Sequence, residues 1–217
     1  MHFSDVLCVW AYAAQRRMEE LVVEFGDRVE IDYRLTSIFG FARDKLGERW
    51  ADKGGLAGYA RHVREVIDRF DHVELHADVW CRVAPISSWP AHLVLAAVRV
   101  LETSGQAPRG AFSDAAWRMR QAFFQHARDI SRQDILLEIA AEASFDVAAI
   151  RDQLASGSAH AALARDDVQA KDLDIRVSPS IVMDNGRQRL NGNVGYRVIA
   201  ANVREILERP ADLVSWC

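Results

Sequence analysis

Residues 3–12 read Phe3-Ser4-Asp5-Val6-Leu7-Cys8-Val9-Trp10-Ala11-Tyr12, a short mixed run that ends in a cysteine. Beyond it Ala11, Ala14, Met18, Leu21, Val22 and Phe25 recur at helical spacing, while Arg16, Arg17, Glu19 and Glu20 take the other face. Gly26 supplies the stop. The pattern predicts a short strand, then Cys8, then a helix, which sets the thiol at a helix N-terminus. Free backbone N–H groups and the helix dipole favour an anion there, so the expectation is a lowered thiol pKa and a raised thiolate population. The competing reading is a small buried hydrophobe, the commonest fate of a free cysteine.

From Arg28 to Leu35 the apolar Val29, Ile31, Tyr33 and Leu35 alternate with charged residues, predicting an edge strand with one wet face. Between residues 43 and 171 the periodicity is helical. Its stripes are Tyr59-Val63-Val66-Phe70, the apolar run Leu93 to Leu101, Phe112-Ala116-Met119-Phe123, Ile135-Leu136-Ile139 and Val147-Ile150-Leu154. Pro90 suits a first helical turn, Ser131 and Asp146 are the predicted N-caps, and Gly54-Gly55 links two helices. After Ser178-Pro179, the stretch Ser180 to Met183, the turn Asp184-Asn185-Gly186 and Gln188 to Leu190 predict a hairpin. Tyr196, Ile199, Val203, Ile206 and Leu207 mark a closing helix. Residues 1–42 and 172–217 thus form one discontinuous domain, and residues 43–171 an inserted helical one.

The 217 residues are 50% hydrophobic, enough for a substantial core, and carry a net charge of −4 from well-mixed acids and bases. Without a basic stripe, no nucleic-acid partner is expected. No run approaches the roughly 20 apolar residues of a membrane span. Met1 to Asp5 is too short and polar for a secretory signal, so the expectation is a cytoplasmic protein without a membrane partner. Cys8, Cys81 and Cys217 are too few and too widely spaced for a disulfide framework or zinc site, which predicts reduced thiols. His72, His76 and Cys81 match no tight ligand pattern, so no metal is expected. Cys217 reads as an exposed thiol without a role rather than a mobile resolving one.

The run from Phe3 to Tyr12, the helical insertion and Val177-Ser178-Pro179-Ser180-Ile181-Val182 together resemble the DsbA-like branch of thioredoxin-fold proteins. That branch includes DsbA-type oxidoreductases, 2-hydroxychromene-2-carboxylate isomerases and kappa-class glutathione transferases. The resemblance spans essentially the whole chain and implies an α/β architecture: a thioredoxin fold with a large all-helical insertion. It implies that Pro179 is cis and faces Cys8, which the chemistry of X-Pro bonds permits. The plainer alternative is a trans proline opening an edge strand. It implies that the Ser178 backbone pairs with the cysteine unit of a peptide or glutathione. It also places Asn193, between the last strand and last helix, at the γ-glutamyl end of glutathione, where helix N–H groups can bind a carboxylate. A plain N-cap is the alternative for Asn193, and Trp10 either shapes a substrate surface or packs.

The chain departs from the dithiol members at Ala11, which replaces the second cysteine, and from the isomerases and kappa transferases at Cys8, where they carry serine. The resemblance then implies a monothiol thiol-disulfide oxidoreductase with Cys8 as catalytic nucleophile. An external thiol, with glutathione the natural co-substrate and no tightly bound cofactor, would release the mixed disulfide. Two alternatives stay open: a glutathione-dependent isomerase or transferase acting on a small aromatic substrate, and a non-catalytic thioredoxin-fold binding protein. Aromatics in the insertion leave room for a homodimer. Only Met1 to Leu7 precede Cys8, so the central strand is either short or lacks upstream residues.

Overall fold

The computed structural model describes residues 1–208. Strand β1 (His2–Ser4) leads through a tight turn into helix α1 (Val9–Phe25), and β2 (Tyr33–Leu35) follows. Helices α2 (Ala42–Arg49), α3 (Gly55–Ile67), α4 (Trp89–Thr103), α5 (Ala111–Phe124), α6 (Gln133–Glu142), α7 (Val147–Ala155) and α8 (Ser158–Asp172) come next without an intervening strand. The chain then forms β3 (Ser180–Met183), β4 (Gln188–Asn191) and α9 (Tyr196–Glu208).

The sheet runs β2-β1-β3-β4, with β1 parallel to β2 and antiparallel to β3, and β3 antiparallel to β4. This is a thioredoxin-like α/β fold with a helical insertion between β2 and β3. Met18, Leu21 and Phe25 of α1 pack with Ile199, Ala200 and Val203 of α9, while Phe3, Val182 and Ala170 of α8 form a separate small cluster. The predicted strand from Arg28 is shorter than its alternation suggests. A 3-10 turn occupies Gly26–Arg28, and the β1 partners of β2 are only His2, Phe3 and Ser4, so pairing begins at Tyr33. Val29 and Ile31 keep the apolar side of the alternation by packing on the α1–α9 cluster without a ladder.

The insertion is fastened to the sheet edge by a buried charge. Asp166 of α8, fully buried, accepts from the Leu35 N–H at 3.0 Å and pairs with Arg34 at 3.2 Å and Arg99 of α4 at 2.7 Å. Three partners satisfy the carboxylate, which is the condition for burying it. Asp146 caps α7 by accepting the Ala149 N–H at 2.9 Å. Ser131 does not cap α6: its hydroxyl donates to Asp129 at 2.6 Å, and Arg132 occupies the N-cap position.

Candidate active site

Cys8 is the N-cap residue of α1, with extended backbone angles (φ −81°, ψ 116°) that let its carbonyl accept the Tyr12 N–H at 3.0 Å. Its own N–H donates to the Asp5 carbonyl at 3.1 Å, closing the turn that joins β1 to α1. The residue is 4% exposed, and its Sγ donates to the Ser178 carbonyl at 3.1 Å. The Ser178–Pro179 peptide bond is cis. The Ser178 hydroxyl oxygen accepts the Asp5 N–H at 2.9 Å, so two hydrogen bonds lace the cysteine turn to the start of β3.

Burial pushes the Cys8 thiol above its ordinary pKa, and the nearby Asp5 charge adds to the rise. The Ser178 side chain and the Ala11 and Trp10 N–H groups pull it down without prevailing. The expected acidified thiolate is therefore corrected. The helix N-terminus is present, but the sulfur faces protein and has lost the water that would solvate its anion. The sulfur's own proton is engaged on the Ser178 carbonyl, so the resting form is the thiol.

Behind the cysteine turn lies a residue that sequence reasoning passed over. Asp5 is fully buried, and its carboxylate accepts from the Leu7 N–H at 2.9 Å, the Phe39 N–H at 2.8 Å and the Ser88 hydroxyl at 2.9 Å. One side chain thus joins the turn before Cys8, the segment after β2 and the start of α4. His92 of α4, also fully buried, accepts the Val6 N–H at Nε2 (3.2 Å), and that nitrogen stands 3.7 Å from Asp5. Burial lowers the His92 pKa, keeping the ring neutral. Arg120 of α5, 4% exposed, donates to Ser4 Oγ at 2.9 Å and Gln15 Oε1 at 3.1 Å. The signal that marks Asp5 is an acid inside an otherwise apolar run immediately before the cysteine.

Lys45 of α2 sits 5.0 Å over the Phe39 ring and donates to the Ile38 carbonyl. Burial lowers its pKa first and the Arg49 charge adds to the fall, while the Asp5 charge acts in the opposite sense. It is a cation within electrostatic reach of the thiol. Tyr59, buried, is held as a phenol well above its ordinary pKa chiefly by burial, with the Asp5 charge adding to the rise.

Ser178 and Pro179 are buried beside Cys8, Trp10 is half-buried in the first turn of α1, and Ala11 is 2% exposed. Asn193 lies elsewhere in its bonding: it is exposed and accepts from Arg17 of α1, which also donates to the Val194 carbonyl at 3.0 Å. It is not the N-cap of α9, which begins at Tyr196. Arg17, which helical spacing places on the polar face of α1, thereby joins the junction. Cys81 is an exposed free thiol, and Cys217 lies outside the described residues. Among the described residues no group of His, Cys, Asp or Glu is arranged to hold a metal, and no helix is long and apolar enough to cross a membrane.

Comparison with known proteins agrees with this geometry. The chain is similar to the cytosolic disulfide reductase DsbM from Pseudomonas aeruginosa (16% identity, TM-score 0.67, covering 94% of this chain and 97% of that one). It is also similar to a 2-hydroxychromene-2-carboxylate isomerase (14% identity, TM-score 0.65, covering 99% and 98%). At these identities the likeness is one of fold. Among curated proteins it is 22% identical over 213 residues to the ClpXP adapter protein SpxH of Halalkalibacterium halodurans, covering 94% of this chain and 66% of that protein's length. The model of one protein family matches residues 1–204, nearly the whole of the described chain, and on that match the chain belongs to the DSBA-like thioredoxin domain family.

Proposed function

We propose that the protein is a monothiol thiol-disulfide oxidoreductase that uses glutathione as co-substrate and Cys8 as nucleophile. The observation that carries this reading is the Cys8 sulfur at the N-cap of α1, 3.1 Å from the Ser178 carbonyl. A disulfide substrate that hydrogen-bonds the Ser178 backbone would take over that carbonyl and free the sulfur to ionise toward the Ala11 and Trp10 N–H groups. The Cys8 thiolate attacks the glutathionyl sulfur of a glutathione mixed disulfide, forming a Cys8–glutathione disulfide and expelling the other sulfur as a thiolate. Ala11 offers no second sulfur, so a glutathione thiolate attacks the glutathionyl sulfur, regenerates Cys8 and leaves as glutathione disulfide. Lys45 is a candidate to hold a substrate carboxylate there. A structure of the fold relative DsbM is of that protein with GSH, which supports glutathione as a ligand class for this fold.

The test is steady-state reduction of bis(2-hydroxyethyl) disulfide by reduced glutathione. The reading expects turnover above the uncatalysed exchange that Cys8→Ser abolishes. Equal rates with and without protein, or full activity in Cys8→Ser, would overturn it.

A second reading, a non-catalytic binding protein, draws on a different observation. Phe41 (76% exposed) and Ile86 (59% exposed) flank the Ala42 N–H to Ile86 carbonyl bond of 2.9 Å, leaving two large apolar side chains open beside the Asp5 clamp. The adapter among its relatives gives that reading a known counterpart. It expects no turnover and a Cys8→Ser variant that still folds.

A further inference from the structure

Away from Cys8, the helical insertion bears a half-open cleft of about 680 Å³ where the first turns of α4, α6 and α8 meet the second half of α7. That volume falls within the range of small-molecule sites, roughly 300–1,000 Å³. Leu93, Val94 and Leu154 line it with aliphatic surface, and no Phe, Tyr or Trp takes part. Arg151, Gln133 and His160 form its polar edge. Among the described residues Arg151 has no carboxylate partner, whereas Asp134, the acid of the adjoining first turn of α6, is already engaged by Arg132 at 2.5 Å. Helix α8, 15 residues long, begins at this cavity with Gly157 as its N-cap and only a long 3.4 Å bond from the Ser158 N–H to Ser156 Oγ. The start of α4 is occupied: Ser87 Oγ accepts the Trp89 N–H at 3.1 Å and the Ser88 hydroxyl donates to the Asp5 carboxylate. The α8 dipole adds to the positive potential of Arg151.

We propose that this cavity is a second ligand site, separate from Cys8, that binds a small aliphatic carboxylate. The chain would lie on Leu93, Val94 and Leu154 and the carboxylate would meet Arg151. An aliphatic rather than aromatic body follows from a Leu and Val wall that offers no Phe, Tyr or Trp face to stack on. A carboxylate follows from an arginine that lacks its own counter-charge beside the α8 N-terminus. Gln133 can donate to the second oxygen.

The test compares octanoate with octanamide, equal in length and differing in charge, by methyl NMR of Leu93, Val94 and Leu154. The proposal expects saturable shifts at those methyls and about 10-fold tighter binding of octanoate, the size of one charge-assisted hydrogen bond. Arg151→Gln, a surface change, should equalise the two ligands. Cys8→Ala should leave octanoate affinity unchanged, which separates this site from the proposed chemistry. Absence of shifts at these methyls, equal affinities in the unaltered protein, or an unchanged preference in Arg151→Gln would each overturn it.

Discussion

Helix α1 offers the Cys8 sulfur the N–H groups of Trp10 and Ala11, while 4% exposure strips away the water a thiolate needs. Burial is the larger influence, and the Asp5 carboxylate adds to it. Replacing Asp5 by Asn should therefore act in two directions at once. Removing the charge should lower the Cys8 pKa, read as a shift of the alkylation-rate profile to lower pH. Leaving the Phe39 N–H or the Ser88 hydroxyl without its acceptor should cost about 1–3 kcal/mol, read by urea denaturation. An unshifted profile would show that Asp5 is not felt at the sulfur. Cysteine at a helix start was legible from the spacing of Ala11, Ala14, Met18 and Leu21. Its acidity was not, because sequence shows the helix end but not that Ser178, 170 positions away, closes over it. Asp5 was overlooked because its three donors come from segments far apart in the chain.

At the scale of elements, the apolar stripes located α1, α3 to α7 and α9 but not α2 or α8, and Asn185 with Gly186 marked the hairpin turn, where both residues have positive φ. The alternation from Arg28 overstated β2, since alternation reports a half-buried surface and β1 supplies partners only opposite Tyr33 to Leu35. Ser131 has the right chemistry for an N-cap, but Asp129 takes its hydroxyl. Helix α3 depends on a close approach that no propensity reveals. A Cβ on Gly58 would lie 1.9 Å from the Lys53 carbonyl oxygen, so Gly58→Ala must push α3 off the preceding turn. Tyr59 follows it in the chain and packs on Phe39 and Trp80, with ring centroids 6.1 Å and 5.3 Å away, so the displacement reaches the wall near Cys8. The expected loss is about 1–3 kcal/mol in urea denaturation, against the small gain that Gly to Ala brings in an open helix. A stabilised variant would contradict this packing.

For the molecule as a whole, acid is the condition to which the core is exposed. His2 is buried with neither ring nitrogen hydrogen-bonded among the described residues, and burial, helped by the Arg120 charge, drives its pKa from 6.5 to about 3. Burial lowers His92 as well. In the unfolded chain both rings take up protons near their ordinary pKa, so the folded state binds fewer protons below it. Stability should be full above pH 6.5 and fall as the pH drops toward 3, by up to roughly 1.4 kcal/mol per pH unit from His2, with His92 acting in the same direction. His2→Phe should flatten part of that slope in denaturation curves taken across the window; an unchanged slope would remove His2 from the account. The family and its fold were legible from the cysteine run, Ser178-Pro179 and the insertion between them. The Asp166 clamp was not, because it joins three elements that only the fold brings together. The central claim, that Cys8 is a monothiol able to form a releasable mixed disulfide, is tested most directly by the intact mass of the folded protein after exposure to oxidised glutathione. In a Cys81→Ser, Cys217→Ser background the account predicts one glutathionyl group, located on Cys8, that persists until reduced glutathione is added because Ala11 offers no second sulfur. A folded protein that gains no adduct at Cys8, or sheds it without added thiol, would contradict the account.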